Sequence, residues 1–205
     1  MSKRDWNGSS LEERRARRRE QLLDAGVTLL AEAGAAGLTV RAVCRLSGLS
    51  ERYFYESFSN RDLLVLAAFD RVAEEVSAAL SEAVAQAPPT PEGVARAAVA
   101  AVLAATIDEP SRGRVLFLAP AGDLLLHPRV DTVGRALVAM LREQLPAARS
   151  TAHRELVANS LAGALAYTFS GYVAGSLRVS REEFSEHCVQ LLLTLAALPE
   201  PVLEG

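Results

Sequence analysis

Residues 37–64 read GLTVRAVCRLSGLSERYFYESFSNRDLL, and this stretch decides the fold. Thr39 carries the hydroxyl to cap a short helix, with Leu38 and Val43 placed as its hydrophobic staple. Gly48 supplies a turn, and Ser50 can cap a second short helix, with Leu49 and Phe54 as the staple. Two short helices across a glycine turn make a helix-turn-helix, a unit that lays its second helix in the major groove of duplex DNA. Phosphates are held by hydroxyls, cations and helix starts, whereas base edges are read by side chains near the start of the second helix. The segment offers Thr39, Arg41, Arg45, Ser50, Glu51, Arg52, Tyr53, Tyr55 and Arg61 for such contacts. Val40, Val43, Leu46, Leu49, Phe54 and Phe58 can pack the unit onto a preceding helix.

That preceding helix is legible upstream. Ser10 and Glu13 form a capping box, and Leu22, Gly26, Leu29, Leu30 and Ala33 share one apolar face that ends near Gly34 and Gly37. Its first turns carry Arg14, Arg15, Arg17, Arg18 and Arg19, either a solvated face or, beside a DNA-binding unit, a source of phosphate or minor-groove contacts. The formal net charge of the whole chain is −3, which conceals an asymmetry: residues 1–61 hold 11 Lys and Arg against 8 Asp and Glu, the remainder 11 against 17. The first segment is therefore basic and the rest acidic.

The run quoted above resembles the DNA-binding region of the tetracycline-repressor (TetR) family, over residues 15–66. Farther along, the similarity rests on length and helix layout. The resemblance implies phosphate contacts for Thr39, Tyr55 and Arg61 and a core role for Phe58. Where the family has a small pair such as Gly-Thr, this chain has Arg52-Tyr53, which should reach farther into the groove. Arg52 either reads guanine O6 and N7 bidentately, worth about 1–3 kcal/mol of discrimination, or contacts a phosphate. The expected fold is all-α with about nine helices: a helix-turn-helix domain over 1–61, ordered from about residue 10, and a larger helical ligand-binding and dimerisation domain over 62–205.

Proline and glycine divide the second domain into helices near 60–86, beginning beside Asp62, then 91–107 behind Thr90-Pro91, then 112–119 and 128–145. Two more follow at 151–177 and 180–198. The first of these carries small residues at four-residue spacing, Ala158, Ala162, Ala166, Ser170 and Ala174, which allow close helix approach. The second opens with the capping box Ser180 and Glu183. Together they suit a homodimer interface, or else packing within one chain. The uncharged stretch Leu156–Leu177 is long enough for a membrane span, but its polar residues favour a buried helix.

By the resemblance, a ligand pocket lies among helices four to eight. Leu103, Ile107, Phe117, Leu137, Met140, Tyr167 and Tyr172 are candidate apolar walls, and His127, Asn159 and Thr168 candidate polar contacts; each is equally placed to be ordinary core. The expected function is a ligand-responsive regulator, a repressor, that binds a pseudo-palindromic double-stranded DNA operator as a dimer and is released by a small hydrophobic or amphipathic effector. Two other readings are a helical protein-interaction module and a small all-helical enzyme. Against the enzyme, the sequence has no nucleophile beside a base, no paired carboxylates on one helix face and no phosphate-cradling glycine loop. Cys44 and Cys188 stand alone and the three histidines are scattered, so neither a cofactor nor a metal is expected. The polar, arginine-rich N-terminus lacks the apolar segment of a secretory signal, which fits a cytoplasmic protein.

Overall fold

The computed structural model describes residues 10–200, which fold into nine α-helices joined by turns and short 3₁₀ and π segments, without a strand among the described residues. Lys3 and the other charges before Ser10, counted above with the basic segment, lie outside the described residues, as do residues 201–205.

Helix α1, Leu11–Gly37, opens with the expected capping box: the Ser10 amide donates to Glu13 at 2.7 Å and the Glu13 amide to Ser10 Oγ at 3.1 Å. Gly34, at φ 64°, breaks its last turn in the left-handed region open to glycine. Thr39 caps α2, Val40–Ser47, by accepting from the Ala42 amide at 3.2 Å, and Gly48, at φ 69°, ends it. Helix α3, Glu51–Ser57, follows Ser50, whose hydroxyl makes no capping bond, contrary to the sequence expectation. The backbone at Ser50 is extended as a cap requires, so its hydroxyl stays free on the surface. Helix α4, Arg61–Gln86, has Asp62 in its first turn, but its cap is Asn60, which accepts from the Leu63 amide at 2.9 Å.

Helix α5, Pro91–Thr106, is capped by Thr90 with proline at its start, as expected. The helix expected at 112–119 is replaced by a one-turn helix α6, Pro110–Gly113, a π turn over 114–118 and 3₁₀ turns over 119–122 and 124–126. Pro120 has no amide to continue an α-helix, and Gly113 lies so close to α5 that a Cβ there would stand 2.5 Å from the Thr106 carbonyl. Helices α7, His127–Gln144, α8, Thr151–Val173, and α9, Arg181–Ala196, complete the chain.

Three apolar clusters hold these elements. The first joins α1–α4: Leu22, Leu30, Val43, Phe54, Leu64 and Phe69 are all at most 1% exposed, and Val115 and Leu126 of the 114–126 segment close it. Gly26 lets α4 approach α1, since a Cβ there would lie 3.1 Å from Leu64. The second lies between α5, α8 and α9, where Phe117 stacks on Phe169 at 5.4 Å, Phe169 meets Phe184 edge-on and Tyr172 stacks on Phe184 at 4.1 Å. The third joins Leu145, Val157, Ala158 and Leu161 to α7 and α9. No helix among the described residues is long and apolar enough to cross a membrane.

Cys188 sits in the second cluster at 0% exposure, and burial pushes its thiol up to about 11. Near pH 8 the thiolate is then a fraction below about 1%, against roughly a quarter for an ordinary thiol. We expect iodoacetamide to leave Cys188 unmodified in the native protein and to label it rapidly in urea, as read by peptide mass spectrometry. Native labelling would mean that the α5, α8 and α9 core opens readily.

Candidate nucleic-acid interface and effector cavity

The surface of the α2–α3 unit follows from which side chains its core has taken. Phe54 is fully buried and Phe58 nearly so, 6.0 Å apart between ring centres, which turns the residues between and before them outward. Glu51, Arg52, Tyr53 and Tyr55 are exposed on α3, as are Thr39 and Ser50 at the two helix starts. Arg41 and Arg45 are exposed one turn apart on α2 and therefore share a face. Eight of the nine residues expected to meet DNA thus stand in solvent around two adjoining helices.

Arg61 is the ninth, and its guanidinium turns inward. Its Nε donates to the Leu38 carbonyl at 2.8 Å, Nη2 bonds the Ala35 carbonyl, and Nη1 pairs with Asp62 at 2.7 Å. Nη2 also lies 4.0 Å from Asp123, in the segment before α7. The Ala35 carbonyl also accepts the Leu38 amide at 3.2 Å, so Arg61 is a second donor there and bonds the Leu38 carbonyl just past the end of α1, tying that end to the start of α4. The resemblance implies a phosphate contact here; the geometry instead makes Arg61 a clamp among α1, α4 and the 114–126 segment.

The second feature is a cavity of about 1240 Å³ enclosed by α4, α5, α7 and α8, larger than the several hundred Å³ of ordinary ligand pockets. Val76, Leu80 and Val84 form its α4 wall, Val94, Ala98 and Val102 its α5 wall, and Leu137, Met140 and Leu141 its α7 wall. Ala162 and Leu165 of α8 and Leu192 of α9 add to it. Its polar groups are Ser77, Ser81, Thr90, Gln144 and Asn159, with Asp131, Arg135 and a paired Arg142 and Glu155, 3.2 Å apart.

Of the ten candidate ligand residues, Phe117, Leu137, Met140 and Asn159 line this cavity. The other six are placed elsewhere. Leu103, Ile107 and Tyr172 pack in the aromatic cluster of α5, α8 and α9. The Thr168 hydroxyl donates to its own helix at Ala164, His127 is exposed at the start of α7, and Tyr167 is 84% exposed. The α4 wall was present in the sequence as apolar residues 73, 76, 80 and 84 at helical spacing, the first two shared with the cluster of α1–α4 and the last two lining the cavity alone.

Small residues on α8 divide differently from the expected stripe. Ala158 and Ala162 are buried within the chain, while the outward face carries Leu156 (68% exposed), Ser160, Gly163 and Tyr167 at spacings of four, three and four. Such spacing forms one continuous helix face.

The Arg61 geometry predicts a stability effect without DNA. Replacing it with alanine removes the guanidinium bonds to the Ala35 and Leu38 carbonyls, and we expect a loss of about 1–3 kcal/mol in urea unfolding of the free protein. An unchanged midpoint, with only DNA binding impaired, would return Arg61 to the role of a phosphate contact.

Comparisons with known proteins agree with this layout. Residues 22–68 match the model of the family described as bacterial regulatory proteins, tetR family. A TetR-like transcriptional regulator from Rhodococcus sp. shares 20% identity at a TM-score of 0.72, over 88% of this chain and 97% of that one. A tetR-family transcriptional regulator from Streptomyces coelicolor shares 19% at 0.70, over 92% and 81%. The fatty acid degradation regulator FadR from Bacillus halodurans shares 16% at 0.72, over 86% and 94%. Comparison with curated proteins finds no match. The chain therefore has the fold of the TetR-like transcriptional regulators, with the tetR-family match confined to residues 22–68 and so to the helix-turn-helix unit and its flanking helices.

Proposed function

We propose that the chain is a ligand-responsive transcriptional regulator, a repressor that binds a pseudo-palindromic operator as a homodimer and is released by a small hydrophobic or amphipathic molecule. The observation that carries this reading is the α2–α3 surface, where hydroxyls, arginines and tyrosines stand exposed around a pair of helices fixed from beneath by Phe54 and Phe58. Thr39, Arg41, Arg45, Ser50 and Tyr55 hold phosphates, and Glu51, Arg52 and Tyr53 face base edges. The α8 face from Leu156 to Tyr167, with the exposed His187 and Gln190 of α9, forms the dimer contact. A two-fold axis there presents two readers to half-sites about one helical turn, or a multiple of it, apart.

The apolar cavity is the effector site. A molecule that binds it better in the DNA-incompetent conformer lowers operator affinity by its differential affinity for the two states. Its lining admits an extended apolar body with one or two polar groups, and a fatty acid degradation regulator shares the fold, so acyl compounds head the list of effectors to screen.

Selection of genomic fragments with the purified protein tests the reading. We expect a pseudo-palindrome, and binding that falls steeply with salt. An effector found by thermal shift should weaken operator binding about 5–150-fold, and Leu137→Trp, which puts an indole into the space beside α7, should leave the operator affinity high and less sensitive to that effector. Binding to no duplex would sink the reading and leave a helical interaction module or a small enzyme.

A further inference from the structure

The two bulky residues at the start of α3, Arg52 and Tyr53, are not independent of α1. One turn along, Glu56 accepts from Arg52 Nε at 3.1 Å, and its second oxygen lies 3.8 Å from Nη2 of Arg18. The Arg18 guanidinium also lies over the Tyr53 ring, its central carbon 4.4 Å from the ring centre. The Arg18 side chain is only 19% exposed, against 85% for Arg52. One α1 residue therefore touches two of the outward groups of α3 and reaches the third through Glu56.

Resting on the regulator reading, we infer that Arg18 is a positioning residue for operator recognition: from α1 it fixes the Tyr53 ring and the Glu56 carboxylate that holds Arg52, and does not itself contact DNA. Three physical consequences follow. A ring held by a guanidinium on one face keeps its other face and its hydroxyl at a fixed height. Glu56, shared between two arginines, is neutralised where an unpaired carboxylate would repel the phosphates of any duplex. Arg52, bonded to Glu56 before docking, loses less rotamer freedom than an unbonded side chain, and must exchange a carboxylate for whatever it meets. A bidentate guanine edge can replace that bond, whereas a misplaced base cannot, so the cluster raises discrimination more than affinity. Arg14, Arg15 and Arg17, exposed on the same helix, have the character of phosphate contacts instead.

The test uses the full chain and the selected operator, with single-pair operator variants and an unrelated duplex of equal length. Wild type, Arg18→Ala, Arg18→Lys, Tyr53→Leu, the Arg18→Ala/Tyr53→Leu double variant and Arg17→Ala are compared over a range of salt. We expect Arg18→Ala to weaken operator binding about tenfold while unrelated duplex changes little, with the salt slope preserved. That loss should shrink in the Tyr53→Leu background to the part carried through Glu56, and Arg18→Lys, which keeps a cation over the ring, should recover much of it. Arg17→Ala should weaken all duplexes alike. Equal loss by Arg18→Ala on every duplex, with a salt slope smaller by about one and full additivity with Tyr53→Leu, would make Arg18 a phosphate contact and overturn the inference alone. Unchanged operator affinity in Arg18→Ala would overturn it too. Failure of wild type to bind any duplex overturns the regulator reading and this inference with it. If Arg18→Ala does not fold, Arg18→Lys and Tyr53→Leu carry the same comparison.

Discussion

Helix α4 is shared between two interiors, and most of what the chain can do depends on that sharing. Leu64, Val65, Ala68, Phe69 and Val72 are fully or almost fully buried against α1 and the helix-turn-helix. Val76, Leu80 and Val84, farther along the same helix, face the cavity, and Phe69 and Ala73 border both. Twenty-six residues of α-helix span about 39 Å without a proline or glycine to bend them. A displacement at the cavity end therefore reaches the reader as a rigid tilt. On the proposed reading, the effector needs no contact with α2 or α3 to change their spacing across a dimer.

Charged contacts fix the register of α4 but do not hold it. Arg71 reaches Asp24 at 2.6 Å and Glu20 at 3.3 Å on α1, and Glu75 at 3.6 Å, while Glu75 in turn meets Arg112 of α6 at 3.0 Å. Asp70 pairs with Arg129 of α7 at 3.0 Å; burial pushes its carboxyl up, against the opposing pull of Arg129. Most of these groups are partly exposed, and such pairs are worth at most about 1 kcal/mol each. Burying one large apolar side chain contributes about 1.5–3 kcal/mol, so Phe69 alone outweighs any rung of the ladder. The ion pairs join α4 to α1, α6 and α7 at defined heights, and weak links of that kind can be exchanged when α4 tilts. Arg61 differs, because it bonds two backbone carbonyls at the end of α1 as well as Asp62.

The parts of the fold that were legible in the sequence are those decided locally. Ser10 with Glu13, Thr39 with Leu38 and Val43, Gly48, Thr90-Pro91 and Ser180 with Glu183 each declare a helix boundary within a few residues, and the structure has all of them. Ser50 shows the limit, since the right residue in the right backbone conformation still makes no capping bond. The pocket was read less well for a physical reason. Helix α8 is apolar nearly all round, so spacing alone cannot say which side faces inward: Phe169 is buried and Tyr167, two residues before it, is almost wholly exposed. Tyr172 and Leu103 were reasonable as apolar walls, but the α5, α8 and α9 core had prior claim on them. Arg61 shows the limit of analogy, because a cation near the helix-turn-helix looks the same in sequence whether it faces a phosphate or, as in this structure, the Ala35 and Leu38 carbonyls.

On the proposed reading, the uneven packing of helices α5–α9 bears on where an effector would act. The aromatic cluster of Phe117, Phe169, Tyr172 and Phe184 is already packed ring on ring, and only its Phe117 and Phe169 border the cavity. Helix α7 has eighteen residues and none buried, although Leu137, Met140 and Leu141 are apolar and line the cavity. A molecule in the cavity therefore gains most of its contact by drawing α7 and the far half of α4 around it. The start of α7 is tied to α4 through Arg129 and Asp70, and the segment before it meets Arg61 through Asp123. On that reading, closure of α7 would act on α4 at three levels: the cavity wall, Asp70 and the N-terminal turn at Arg61. A ligand shifts an equilibrium only through contacts that differ between its two states. In this chain the contacts with most room to differ are those between α7 and α4, the helix that carries the reader.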